Sequence, residues 1–181
     1  MDTAFYVPDG TTPEPFALIV SALVPYKRIE LAIEACHLAH LPLKIVGDGP
    51  ERATLERQAN GRAEFLGRVS NEEIRSLYRR AALVLLPGEE DFGIVPLEAQ
   101  ACGRPVVALN RGGSIETVIA GTTGVLVDDL SVDAFTAGID QAMRTAFDSS
   151  AIRAHAERFS RERFGDEIEA LVRGPIEADA R

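Results

Sequence analysis

FALIVSALVPYKRIELAIEAC, residues 16–36, opens with a run that is apolar throughout except at Ser21. A strand buried on both faces needs such a run, and Ile29, Ala32, Ile33 and Cys36 then recur at helical spacing. The stretch therefore reads as a strand followed by a helix, and the same alternation continues outward from it. LKIVGDGP (43–50) ends a short apolar strand on turn residues, and residues 51–59 are polar and helix-forming with Leu55 turned inward. EFLG (64–67) supplies a third strand. Ser70, Asn71, Glu72 and Glu73 fit a capping box before Ile74, Leu77 and Tyr78, with Ser70 and Glu73 each satisfying a free N–H group. ALVLLP (82–87), PVVAL (105–109) and, after a short helix capped by Ser114, GVLV (124–127) complete the strands. Alternation at this rhythm predicts a Rossmann-like, doubly wound α/β sheet of about six parallel strands with helices on both faces.

Past Leu130 the pattern becomes helical. Val132, Phe135, Ile139, Ala142, Met143 and Ala146 mark one amphipathic helix; Ile152, Ala156 and Phe159, then Ile168, Leu171 and Val172, continue in further C-terminal helices. Residues 1–14 read as a linker or frayed end, 15–173 as the folded domain and 174–181 as a tail.

Bulk properties narrow the function. With 181 residues, 46% of them apolar, the chain can bury a substantial core. Twenty-eight acidic against nineteen basic side chains leave a net charge of −9, which repels phosphate backbones and argues against nucleic-acid binding. Cys36 and Cys102 lie far apart without zinc or disulfide spacing, as expected of small core residues in a reduced, cytoplasmic protein. No window has the length and apolarity of a transmembrane span or signal peptide.

In open α/β sheets ligands bind beyond the carboxyl ends of the strands, where loops lead into helix N-termini. The loop after the fourth strand, EEDFGIVPLEA (89–99), sets carboxylates on both sides of a predicted helix start between Ile94 and Pro96. Gly93 permits close backbone approach, and Pro96 sits in a first turn where its missing N–H costs nothing. Free N–H groups there suit phosphate oxygens, whereas Glu90 and Glu98 suit sugar hydroxyls, a combination that fits a sugar nucleotide. The competing reading makes Glu98 a good first-turn residue and the acidic run a solvated loop. Lys27 and Arg28 are natural counterions for a diphosphate, or else ordinary surface cations. Gly47, in GDG, resembles a phosphate-loop fragment but matches neither GxGxxG nor GxxxxGK[ST], so a tight turn is the simpler reading. Arg111, Gly112 and Gly113 read as a strand-to-helix turn, and His37, His40 and His155 as solvated or core-edge side chains. No DxD pair occurs, so neither a metal nor a cofactor is expected, and charge on the leaving group falls to Lys, Arg and helix dipoles.

Glu90 and Glu98, separated by seven residues and followed by Ala99-Gln100-Ala101-Cys102-Gly103, resemble the E-x7-E region of the retaining family 4 glycosyltransferases, which have the two-domain GT-B architecture. Tyr26-Lys27-Arg28, the segment 46–51, Phe65-Leu66-Gly67-Arg68-Val69-Ser70 and the segment 111–116 resemble family segments in the same order, and the likeness spans roughly residues 15–173. The variants VPYKR and EEDFGIVP look most like mannosyltransferases of O-antigen and exopolysaccharide assembly.

The resemblance implies that Glu98 holds the ribose and Glu90 the transferred sugar. It further implies that Phe92, Gly93, Ile94 and Val95 offer N–H groups to sugar and diphosphate, and that Lys27 neutralises the departing phosphate. Val69 would meet the base through its backbone, with Arg68 and Ser70 nearby, and guanine is the base expected of the mannosyl subgroup. Transfer of a hexosyl unit from a nucleoside diphosphate to an acceptor hydroxyl, with retention, follows as the expected reaction. Many relatives carry an arginine where this chain has Ala22, which removes one phosphate counterion. The other GT-B half, an N-terminal acceptor domain, has no counterpart in 181 residues; the segment 2–7 looks like the connector to it. Binding without efficient turnover is thus expected of this piece, and any membrane contact would be peripheral and made through the full-length enzyme. The rival readings are a non-catalytic nucleotide-sugar-binding module serving a partner protein, a dehydrogenase or a phospho-acceptor receiver. A dehydrogenase should carry GxGxxG, and a receiver should carry acids where this chain has PYKR.

Overall fold

The computed structural model describes residues 1–173; the expected tail at 174–181 lies outside the described residues. Six strands, β1 (Ala17–Val20), β2 (Leu43–Val46), β3 (Ala63–Gly67), β4 (Leu83–Leu86), β5 (Val106–Leu109) and β6 (Gly124–Val127), form one sheet in the order β3-β2-β1-β4-β5-β6. All pairings are parallel. The expected doubly wound class is the observed one. Chain order reverses between β1 and β4, which is where such a sheet opens a crevice at its carboxyl edge.

Alternate strand residues feed two cores, as the two-residue period of a strand requires. Ala17, Ile19, Ile45, Leu85, Val107 and Val125 pack on one face against α1 (Ile29–Leu38), α2 (Arg52–Ala59) and α6 (Val132–Arg144). Leu18, Val84, Leu86, Val106 and Ala108 pack on the other against α3 (Asn71–Arg80), α4 (Ile94–Ala101) and α7 (Ser149–Glu157). The remaining helices are α5 (Ser114–Thr117) and α8 (Arg161–Arg173). Cys36 and Cys102 are free and buried, and burial pushes both thiols up to about 12.

Several expectations are corrected. β1 stops at Val20 although the apolar run continues to Val24, because the chain beyond it bonds the loop after β2: Leu23 N donates to Asp48 O (3.0 Å) and Glu51 N to Leu23 O (3.0 Å). Leu23 is fully buried, so its side chain serves the core without a strand. Ser70 Oγ does accept from Glu73 N (3.2 Å), but the reciprocal bond expected of the Glu73 carboxylate is not formed. Ser114 is not a cap: Gly113 takes that place, and the buried Ser114 Oγ has no partner. Ala146 lies beyond the end of α6. The apolar positions of α8 are all exposed, so that helix buries nothing against the sheet.

The amino-terminal segment is not frayed. Tyr6 is buried, and arginines fasten the carbonyls around it: Arg75 to Phe5 O (3.2 Å), Arg79 to Val7 O (2.7 Å), and Arg153 to Tyr6 O (3.0 Å) and Thr3 O (3.2 Å). The Met1 ammonium donates to Phe159 O (3.0 Å).

Candidate functional site

The carboxyl edge of the sheet is assembled by close backbone approaches that only glycine allows. A Cβ on Gly88 would lie 2.5 Å from Tyr26 O, welding the loop after β4 to the loop after β1. A Cβ on Gly113 would lie 2.4 Å from Phe92 Cα, and Gly113 N donates to Glu90 O (2.7 Å), so the loop after β5 braces the same segment. This supports the turn reading of Gly112 and Gly113. Gly47, with φ 128° and a would-be Cβ 1.8 Å from Ser21 O, likewise holds the β2 loop against the β1 loop. Its part is structural proximity to the edge.

At the centre of this edge α4 begins at Ile94, within the expected interval, behind Gly93 at φ 80°. No side chain caps it. Among the described residues the N–H groups of Phe92, Gly93, Ile94 and Val95 donate to no protein acceptor. Four unspent donors at the positive end of a helix dipole are chemically suited to an anion. The tip is open: Phe92 and Ile94 are exposed, with one edge of Phe92 resting near Phe159 (ring centroids 6.1 Å).

The two glutamates flank this tip in separate hollows. Glu90 pairs with Lys27 Nζ beside Ser21, Pro87 and Gly88, where β1 and β4 end. Lys27 is brought there by a single 3₁₀ turn, Pro25–Lys27, that the αL residue Arg28 terminates. Glu98 instead lines a cleft of about 420 Å³ with Met1, Phe5, Tyr6, Asn71 and Ile94. Tyr78 OH donates to Glu98 Oε2 (3.0 Å). Burial holds the Glu98 carboxyl above its ordinary range, opposed by hydrogen bonding from Tyr78 and Tyr6, and Glu98 in turn pushes both phenols up further than burial alone does.

Other expected residues fall at the rim. Arg28 Nε is spent on Glu30 (2.6 Å). Arg68 is exposed, Val69 is partly buried against the core with its N–H unused by the protein, and Ser70 is occupied as the α3 cap. Ala22 stands exposed in the β1 loop. His37 and His40 are exposed. His155 is buried against Thr117 O (3.2 Å), and burial lowers its pKa. Sequence reasoning missed Tyr6, Tyr78 and Gln100. The sequence places Tyr78 on the core stripe of α3, and a phenol buried there must find a partner, which is the signal that could have found it. Gln100 Nε2, fully buried, donates to Thr117 O (2.7 Å) and ties α4 to the end of α5.

The family description "Glycosyl transferases group 1" matches residues 8–162. The chain belongs to the group 1 glycosyltransferases. Among curated relatives of this glycosyltransferase, it is 37% identical over 148 residues to a GDP-mannose-dependent alpha-(1-6)-phosphatidylinositol monomannoside mannosyltransferase of Mycolicibacterium smegmatis, covering 72% of this chain and 39% of that protein. It is 38% identical over 136 residues to a D-inositol 3-phosphate glycosyltransferase of Mycobacterium bovis, covering 71% of this chain and 28% of that protein. The chain thus spans well under half the length of these relatives. Among solved structures, Anabaena HepE in complex with UDP and glucose superposes with a TM-score of 0.81 at 26% identity, over 95% of this chain and 54% of that one. Sucrose-phosphate synthase from Thermosynechococcus elongatus superposes with a TM-score of 0.83 at 24% identity, over 99% and 52%, a likeness of fold.

Proposed function

We propose that this glycosyltransferase domain binds the donor, a nucleoside diphosphate sugar with GDP-mannose favoured, and that the enzyme it belongs to transfers a mannosyl unit with retention to a glycan or lipid-linked acceptor. The observation that carries the proposal is the set of unspent N–H groups at residues 92–95, flanked by Glu90 with Lys27 on one side and Glu98 on the other. Diphosphate oxygens match the donors, and Lys27, paired with Glu90, is the cation suited to share the charge. Glu98 is suited to the ribose hydroxyls and Glu90 to those of the hexose. As the glycosidic bond breaks, charge grows on the diphosphate, and preoriented N–H groups stabilise it more than they stabilise the bound donor. The GDP-mannose dependence of the mycobacterial relative supports the choice of donor. UDP, found with HepE, is the principal competitor. The acceptor side of the reaction is assigned to an N-terminal GT-B domain, the site of action to the cytoplasm, and the chemistry to protein groups without a metal ion. Among the described residues no helix is long and apolar enough to cross a membrane.

The test is a thermal-shift and calorimetric panel of GDP-mannose, GDP, UDP-glucose, UDP, ADP and NAD with this chain. A ligand at about 100 times its dissociation constant adds about 2.7 kcal/mol of stability. Selective stabilisation by the guanosine pair is expected. Stabilisation by UDP-glucose in preference would redirect the donor assignment, and no response to any diphosphate, or a response to NAD alone, would refute the site.

A further inference from the structure

The ribose-facing glutamate is not a free carboxylate. Glu98 sits on the second turn of α4, and its Oε2 accepts from Tyr78 OH at 3.0 Å. Tyr78 belongs to α3 and has no exposed surface, so its phenol cannot turn to solvent. Tyr6 lines the same cleft as Glu98 from the opposite end of the chain, and its ring meets that of Tyr78 edge to face at 5.9 Å. Tyr6 is held in turn by Arg153, whose Nη1 donates both to Tyr6 O (3.0 Å) and to Ala101 O (2.7 Å), the last residue of α4. One guanidinium therefore fixes the amino-terminal segment and the helix that carries Glu98 in a single frame.

A carboxylate accepts about four hydrogen bonds, and one is already spent on Tyr78. A flexible glutamate that is left unheld must lose rotamer freedom when it grips a ligand; one held by a buried phenol has lost it already. We propose that Tyr78 and Tyr6 are positioning residues that fix Glu98 so that its remaining lone pairs face a vicinal diol of the ligand in the adjoining cleft. The inference rests on the assignment of that cleft to the ribose of a nucleoside diphosphate. The amino-terminal segment is then a structural part of the nucleotide site.

The experiment compares GDP with 2′-deoxy-GDP, and UDP with 2′-deoxy-UDP, by calorimetry on the 181-residue chain and its Tyr78→Phe and Tyr6→Phe variants. Removal of a hydroxyl from the nucleotide reports on Glu98, whereas general damage to the fold weakens both members of a pair alike. A well-made charged hydrogen bond corresponds to about tenfold or more in affinity, so the parent chain is expected to prefer the ribonucleotide by at least that factor. Each variant is expected to reduce the preference several-fold with little change for the deoxynucleotide. If Tyr78→Phe does not fold, Tyr6→Phe reads the same ratio. Variants that retain the full preference, or lose both nucleotides equally, overturn the positioning role while leaving the donor site standing. A parent chain that binds both sugars equally overturns the role of Glu98 itself, and binding of neither nucleotide overturns the donor assignment.

Discussion

Lys27, in the turn after β1, and Glu90, in the loop after β4, form an ion pair across the point where the strand order of the sheet reverses. Neither side chain is freely solvated, at 14% and 22% exposed, so the pair is more than a surface contact. The proposed roles set these residues on different parts of one ligand, phosphate for Lys27 and sugar for Glu90. Donor binding must therefore exchange their mutual contact for two new ones. Glu90→Gln should tighten binding of the bare nucleoside diphosphate, because Lys27 no longer has an anionic partner to leave, while weakening retention of the sugar. The GDP to GDP-mannose affinity ratio measured by calorimetry checks this, and an unchanged ratio refutes it. In the full-length enzyme Lys27→Ala should cut kcat by about 10² to 10³, the usual loss for one preorganised donor.

Gly113 has no room for a methyl group, since its Cβ would meet Phe92 Cα and O at 2.4 Å. Gly113→Ala should destabilise the fold by about 1–3 kcal/mol, as overpacking does, and displace the N–H groups of residues 92–95. Denaturant melts and GDP titration should fall together. A variant with parental affinity would show that those groups do not hold the diphosphate.

Glu98 supplies a pH dependence with a defined sign. Burial raises its folded pKa above the ordinary 4.5, so between those two values the folded chain holds more protons than the unfolded one, and stability falls as pH rises through that window. Ligand binding runs the other way, because two hydroxyl donors need the ionised carboxylate. Nucleotide affinity should decline as pH falls through the raised pKa. Tyr78→Phe removes a bond that favours the charged form, so the decline should begin at higher pH. Calorimetry from about pH 4 to 8, which begins near the ordinary carboxyl range and runs past that of imidazole, tests both statements.

Ala22 is exposed on the β1 loop and Arg28 Nε is spent on Glu30, so Lys27 is the cation that this loop offers to the proposed diphosphate. Ala22→Arg should tighten GDP binding by about threefold to tenfold, as a charge-assisted contact does, with a steeper salt dependence. No gain would show that the added cation does not reach the phosphates.

Nucleotide binding should persist in EDTA, since the proposed contacts are all made by protein groups. Loss of GDP affinity on chelation, restored by magnesium, would reassign the charge stabilisation to a metal ion.

The alternation of apolar strand runs with helical spacing made the doubly wound sheet legible, because each strand must be apolar on both faces when helices cover both. The start of α4 was legible for a local reason: Pro96 has its φ fixed at a value suited to a first helical turn, and Gly93 can take the positive φ that precedes it. The failures were also physical. Nothing local distinguishes the apolar residues that end β1 from Leu23, which is buried by contact with the β2 loop. Ser114 has the chemistry of a cap, and its buried, unpartnered hydroxyl follows from where the Gly112 and Gly113 turn places it.

Sequence alone determined the fold class, the carboxyl-edge loops and the helix tip, since periodicity, glycine and proline act over a few residues and leave their mark in chain order. Only the tertiary structure decided that Glu90 faces Lys27, and that Glu98 is held by a phenol from α3 and shares its cleft with Tyr6, from a segment expected to be a linker. Those pairs lie 63, 20 and 92 positions apart, and which of many compatible polar side chains meet at such distances is settled by packing of the whole sheet and its helices.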